Sequence, residues 1–141
     1  MIFWEKQNKI KALYEMYSGP VRAKYGLTRM EYSVLLFLSR NPSYDTASAI
    51  VEARQFAKSH VSSAVNTLEE KGLITREHRD SNNKTIHLKL TGQAEPILRE
   101  AEDAAERYKN CLIKGFSEEE LLQMSDYFEK ICRNAEEELL N

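Results

Sequence analysis

The sequence predicts a mainly α-helical chain with one small β-hairpin, an α+β arrangement, and three observations carry that expectation. Apolar residues recur every three or four positions through most of the 141 residues, which is the helical period. The stretch GLITREHRDSNNKTIHLKLTG, residues 72–92, alternates instead with period two about an Asn-rich centre, the pattern of a hairpin. That hairpin follows directly on a short helix, a tight connection and a longer helix. Two strands alone are marginal in water, so they need a helical lobe to rest on.

The elements follow in order. Phe3, Ile10, Leu13, Tyr14, Tyr17 and Val21 share a helical stripe, and Ser18-Gly-Pro is expected to break or cap it. Thr28 is an N-cap with Glu31 closing a capping box, ahead of Tyr32, Leu35, Leu36 and Leu38. Asn41-Pro-Ser ends that helix. Asp45 or Thr46 caps a short helix to about Ala53, and a longer one spans roughly Ala57 to Lys71 with Gly72 past its end. In the hairpin, Leu73 and Ile74 anchor the first strand. Ile86, Leu88 and Leu90 alternate on the second, with Asp80–Asn83 as the turn. Thr91 opens a long helix through Ala94, Ile97, Ala101, Ala104, Tyr108 and Leu112, stopped by Gly115. Ser117 starts the last, with Leu121, Met124, Phe128, Ile131, Ala135 and Leu139 as its stripe.

Composition narrows the class. Charged residues are 30% and hydrophobic ones 42%, an ordinary globular balance. The net charge of −2 is uneven: residues 1–53 hold seven Lys/Arg against five Asp/Glu (+2), residues 54–92 seven against four (+3), and residues 93–141 six against thirteen (−7). The basic middle could face phosphate while the acidic end points away. The longest aliphatic and aromatic run, Val34–Leu38, is too short to span a bilayer. Met1-Ile-Phe-Trp meets Glu5 and Lys6 at once, so no signal peptide is expected. Two cysteines, Cys111 and Cys132, without a C-x-x-C, fit a reduced, cytoplasmic chain.

Residues 50–74, IVEARQFAKSHVSSAVNTLEEKGLI, form a helix-turn-helix pattern. On its second helix Val61, Ala64, Val65 and Leu68 point to a core. The opposite face carries Ser59, Ser63 and Asn66, with His60 and Ser62 on its flanks, then turns acidic at Glu69 and Glu70. A short-chained polar face of this kind suits a helix whose N-terminal end enters the major groove, and the amide of Asn66 could pair with adenine. Arg76, Arg79, Lys84 and Lys89 make the hairpin basic, which is the character of a wing lying along a DNA backbone or minor groove. The fold expected is therefore a winged helix-turn-helix, residues 28–92, flanked by dimerisation helices at residues 1–27 and 93–141.

At LTRMEYSVLLFL, LEEKGLITR (Leu68 to Arg76) and the closing LKLTGQA, the chain resembles the MarR-type (multiple antibiotic resistance regulator) transcription factors, and the resemblance covers nearly its whole length. It implies a homodimer that binds a palindromic double-stranded DNA operator, commonly a repressor relieved by a small aromatic or phenolic effector. The family's recognition-helix contacts carry over to Ser59, His60, Ser62, Ser63 and Asn66, with Lys58 at the helix start. On the wing the candidate DNA contacts are Arg79, Asn82, Asn83 and Lys84. The family's Asp-x-Arg falls on Asn82-x-Lys84, its basic residue on Ser63, and its turn glycine on Gln55, three departures in this chain. The family's ligand cleft lies near the segments holding Tyr14, Tyr17, Tyr25 and Tyr32. Eight of the thirteen aromatics stand in the first 44 residues.

Dimerisation also follows without the resemblance. Helices of about 20 residues run about 30 Å, longer than a small lobe covers, so the terminal stripes would stay exposed in a monomer. Coiled-coil association with another protein is the lesser alternative.

Other functions lack their residues. G-x-S-x-G, H-E-x-x-H, P-loop and dinucleotide motifs are all absent, and the five glycines fall at element ends, so neither an enzyme nor a cofactor is expected. His78 and His87 could face each other across the wing. Without a third ligand they are expected in solvent rather than on a metal. A winged-helix protein-interaction module that has lost DNA binding is the competing reading.

Overall fold

Helix α1 runs unbroken from Phe3 to Tyr25, through the Ser18-Gly-Pro expected to interrupt it. Proline disfavours the helix partly by crowding the Cβ of the residue before it. That residue is Gly19, which has none. Ser18 is buried and donates from its hydroxyl to the Tyr14 carbonyl at 2.8 Å, so its polar atom is satisfied inside the helix. The computed structural model describes the backbone of residues 3–79 and 82–141, and the side chains of residues 5–79 and 84–141.

Helix α2 (Arg29–Arg40) starts at the expected capping box. The Thr28 hydroxyl accepts from the Glu31 amide, and Glu31 accepts from the Thr28 amide. Glu31 is itself buried. Lys71 reaches it with an ammonium that donates to its carboxylate at 2.8 Å and to the Gly26 carbonyl at 2.7 Å. Burial pushes the Glu31 carboxyl up, but Lys71 and Thr28 together hold it below the usual range. The ion pair ties Lys71 to the start of α2.

Helix α3 (Ala47–Arg54) is capped by Thr46, whose side chain accepts from the Ala49 amide. Asp45 is not the cap. Helix α4 (Lys58–Glu70) ends in a Schellman motif: Leu73 N–H donates to Leu68 at 3.0 Å and Gly72 N–H to Glu69 at 2.9 Å. Gly72 has φ +74°, and a Cβ there would sit 2.9 Å from the Gln93 amide oxygen. The position requires glycine twice over.

Strands β1 (Ile74–Arg79) and β2 (Asn82–Leu90) pair antiparallel with Ile74 opposite Leu90 and Glu77 opposite His87, and with a register irregularity between Glu77 and Arg79. The expected four-residue turn was too long. Asn82 and Asn83 belong to β2 by backbone, while Asp80 and Ser81 lie outside the described residues. Ile74 and Leu88 are buried and Ile86 is exposed, so the hairpin grips the core at its base only. After β2 a 3-10 turn (Gly92–Ala94) precedes α5 (Glu95–Leu112). Thr91 does not cap α5 as expected: its hydroxyl donates to the Gly72 carbonyl at 2.6 Å, closing the hairpin's base. Helix α6 (Glu118–Leu139) opens with the expected capping box of Ser117 and Glu120.

The chain divides into two compact units, residues 1–107 and 108–141. The first holds the core, centred on Leu35, Ile50, Val61, Leu68 and Ile74. No buried side-chain polar atom among the described residues lacks a partner. In the second, α6 buries none of its residues. The mainly helical architecture with one antiparallel hairpin is the one the sequence predicts.

Candidate nucleic-acid interface

The α4 face forms because its apolar residues recur at helical spacing. Val61, Ala64, Val65 and Leu68 are buried, which turns Lys58, Ser59, His60, Ser62, Ser63 and Asn66 outward, and all six are exposed. Ala57, the N-cap, makes no side-chain capping bond. Helix amides left uncapped and facing solvent suit a phosphate. A shallow cavity of about 180 Å³ lies at the α3–α4 corner, lined by Ala47, Ser48, Val51, Lys58 and Ser62. Gln55, where the turn glycine was expected, adopts a left-handed φ of +54°. Its side chain donates to the Glu52 carbonyl at 2.7 Å.

The wing's arginines are engaged within the chain. Arg79 pairs with Asp45 at 2.8 Å and with Glu77 at 3.1 Å. Arg76 donates from Nη1 to Glu69 at 2.6 Å and from Nη2 to the Asn66 amide oxygen at 2.5 Å. Lys84 and Lys89 are exposed. The side chains of Asn82 and Asn83 lie outside the described residues, so the wing contacts expected there have no geometry to report.

Asp45 is the residue the sequence reading missed. It is buried beside the cap of α3 and takes three bonds from the wing. Leu88 N–H donates to its carbonyl at 2.7 Å, His87 Nδ1 meets one carboxylate oxygen at 2.7 Å, and Arg79 meets the other. Burial raises its carboxyl pKa, but the His87 hydrogen bond and the Arg79 charge outweigh that and hold it below the usual range. His87 is therefore half-buried and partnered rather than solvated. It stands opposite Glu77, not His78, and neighbours along a strand point to opposite faces. Among the described residues no group of three or more potential ligands could hold a metal.

The four tyrosines occupy different environments. Tyr32 is in the core, its hydroxyl pushed up to about 12 by burial with Tyr14 adding. Tyr14 packs against that core, and burial raises it too. Tyr25 donates to the Glu100 carboxylate, which with partial burial pushes the phenol upward. Tyr17 lies under Arg107, whose guanidinium carbon is 5.2 Å from the ring centre. Tyr17 and Arg107 line a groove of about 440 Å³ between α1 and α5 with Val21, Glu100 and Ala104. Only Tyr17 of the four lines it.

Three core helices, the last two forming a helix-turn-helix, and a hairpin packed beside α4 define a winged helix-turn-helix fold. Residues 25–83 match the model of the MarR family. Solved structures resemble it along its length. The Staphylococcus aureus MepR–DNA complex superposes with a TM-score of 0.78 at 20% identity, covering 95% of this chain and 96% of the other. A Listeria monocytogenes MarR family regulator bound to a 26mer DNA gives 0.72 at 21%, covering 99% and 92%. The organohalide-sensing regulator RdhR, in its 2,4-dichlorophenol-bound form, gives 0.69 at 17%, covering 93% and 78%. At such identities the likeness is one of fold.

Proposed function

We propose that this chain is a sequence-specific double-stranded DNA-binding transcriptional regulator, acting in the cytoplasm as a homodimer on a palindromic operator and without enzymatic activity. The observation that carries this reading is the α4 face: six exposed, uncharged or basic residues at Lys58–Asn66, backed by a buried stripe and flanked by a basic hairpin. The winged-helix structures solved with DNA support it. Among the described residues no helix is long and apolar enough to cross a membrane.

Selection of duplexes from a random pool, followed by anisotropy titration over a range of salt, tests it. A recovered palindrome and a steep fall of affinity with salt are expected. Binding that ignores both sequence and salt would favour the interaction-module reading, for which the paired wing arginines speak.

The effector is proposed to be a small acidic phenol in the groove between α1 and α5. Its volume suits such a ligand, Arg107 would meet the phenolate, and the RdhR structure contains a chlorinated phenol. A panel of chlorinated phenols should raise the melting temperature of the wild-type chain and lower its operator affinity in the same concentration range. Arg107→Ala should lose both responses. Retention of both would move the ligand elsewhere.

A further inference from the structure

Asn66 is the outward amide on the recognition helix, and its orientation is set by a residue of the wing. Arg76 offers only donors, so the group it bonds at 2.5 Å must be the amide oxygen of Asn66 and not the nitrogen. The same guanidinium holds Glu69, one turn further along α4, at 2.6 Å. One planar fork thus spans two successive turns of the helix. Rotation of the Asn66 amide by 180° would set NH₂ against NH₂, so the flipped state is excluded while Arg76 is in place. On the side away from Arg76, Asn66 presents its NH₂ group.

This changes what the position can read. A free asparagine pairs with adenine by accepting from N6 and donating to N7. With its oxygen turned to Arg76 and one of that oxygen's two lone pairs taken, Asn66 has two hydrogens to give on the side away from Arg76. Guanine offers two acceptors in the major groove, O6 and N7. Adenine and thymine offer one each, and cytosine presents a donor. Resting on the DNA-binding reading above, we infer that Arg76 is a positioning residue that makes Asn66 a reader of guanine.

The test is base preference at the operator position that depends on Asn66, read from competition binding with all four base pairs substituted there in both half-sites. Wild type should favour guanine over adenine by about 5-fold or more, the low end of a two-bond contact, with cytosine weakest. Asn66→Ala should level the four and identify the position. Arg76→Ala should shift the preference from guanine toward adenine, because the oxygen is released. Arg76→Lys, which still donates, should keep guanine. Melting curves keep these comparisons to folded protein, and both side chains lie at the surface. Adenine preference in the wild type, or an unchanged preference in Arg76→Ala, overturns the inference. So does selective binding in which Asn66→Ala alters no position. A wild-type chain that selects no duplex overturns the DNA-binding reading itself, and this inference with it.

Discussion

Gln55 offsets a left-handed backbone with one hydrogen bond. At φ +54° a side chain crowds its own carbonyl, a strain of about 1–2 kcal/mol that glycine avoids. Against this stands the bond from its side chain to Glu52, exposed and worth less, and the added freedom of glycine in the unfolded chain. Gln55→Gly should therefore stabilise the chain by about 0.5–1 kcal/mol, read as a higher urea midpoint at unchanged slope. Asp45 works in the other direction. Its carboxyl pKa is lowered by folding, so its contribution is present above the unfolded pKa and fades as pH falls through the acid carboxylate range. Asp45→Asn should cost about 2–3 kcal/mol at neutral pH, and the gap to wild type should close below about pH 4. A gap independent of pH would mean that the loss is steric. These two residues mark what the sequence could show. Thr28, Glu31, Ser117 and Glu120 were legible because a capping box closes within four residues. The Asp45–His87 and Asn66–Arg76 pairings were not, because each joins separate elements whose packing local spacing does not determine.

At the scale of elements, the anchors Leu73 and Ile74 and the alternation of Ile86, Leu88 and Leu90 announced a hairpin, and the apolar face of α4 announced its partner. The errors were of local signals overruled by context. Gly19 removed the Cβ that would have made Pro20 a break, and pairing beyond the expected turn drew Asn82 and Asn83 into β2. The wing's charge is also less available than its composition suggests, since Arg79 already faces two carboxylates. Lys84, two residues beyond Asn82 along β2, is exposed. In a dimer, Lys84→Ala should lower the slope of log K against log salt by roughly 2, since each phosphate that is no longer neutralised removes about 0.9. It should weaken operator and random DNA alike. Arg79→Ala should change that slope little and lower the melting temperature instead, because it breaks the link to Asp45. The reverse assignment would place Arg79, not Lys84, on the phosphate.

For the whole molecule the decisive feature is the apolar surface of α6. Tyr127, Phe128 and Ile131 are 61–66% exposed and Leu122 is 68% exposed, on a helix with no buried residue. Contiguous apolar patches of this kind mark an interface on an ordinary chain. The proposed palindromic operator makes a second copy the natural occupant: a two-fold axis uses each side chain twice and can set the two copies of α4 about 34 Å apart, one turn of DNA. Burying one Phe or Ile side chain contributes about 1.5–3 kcal/mol, so a charge at such a position on both copies should be decisive. Sedimentation at micromolar concentration should give about twice 16.3 kDa for the wild type, and Phe128→Glu or Ile131→Glu should give the monomer mass with helical content kept. The monomeric variant should bind a half-site and a full palindrome with nearly equal affinity, whereas the wild type should favour the palindrome strongly. A wild-type monomer would remove the basis for two-fold operator recognition. A dimer that survives both charges would place the interface away from this face of α6.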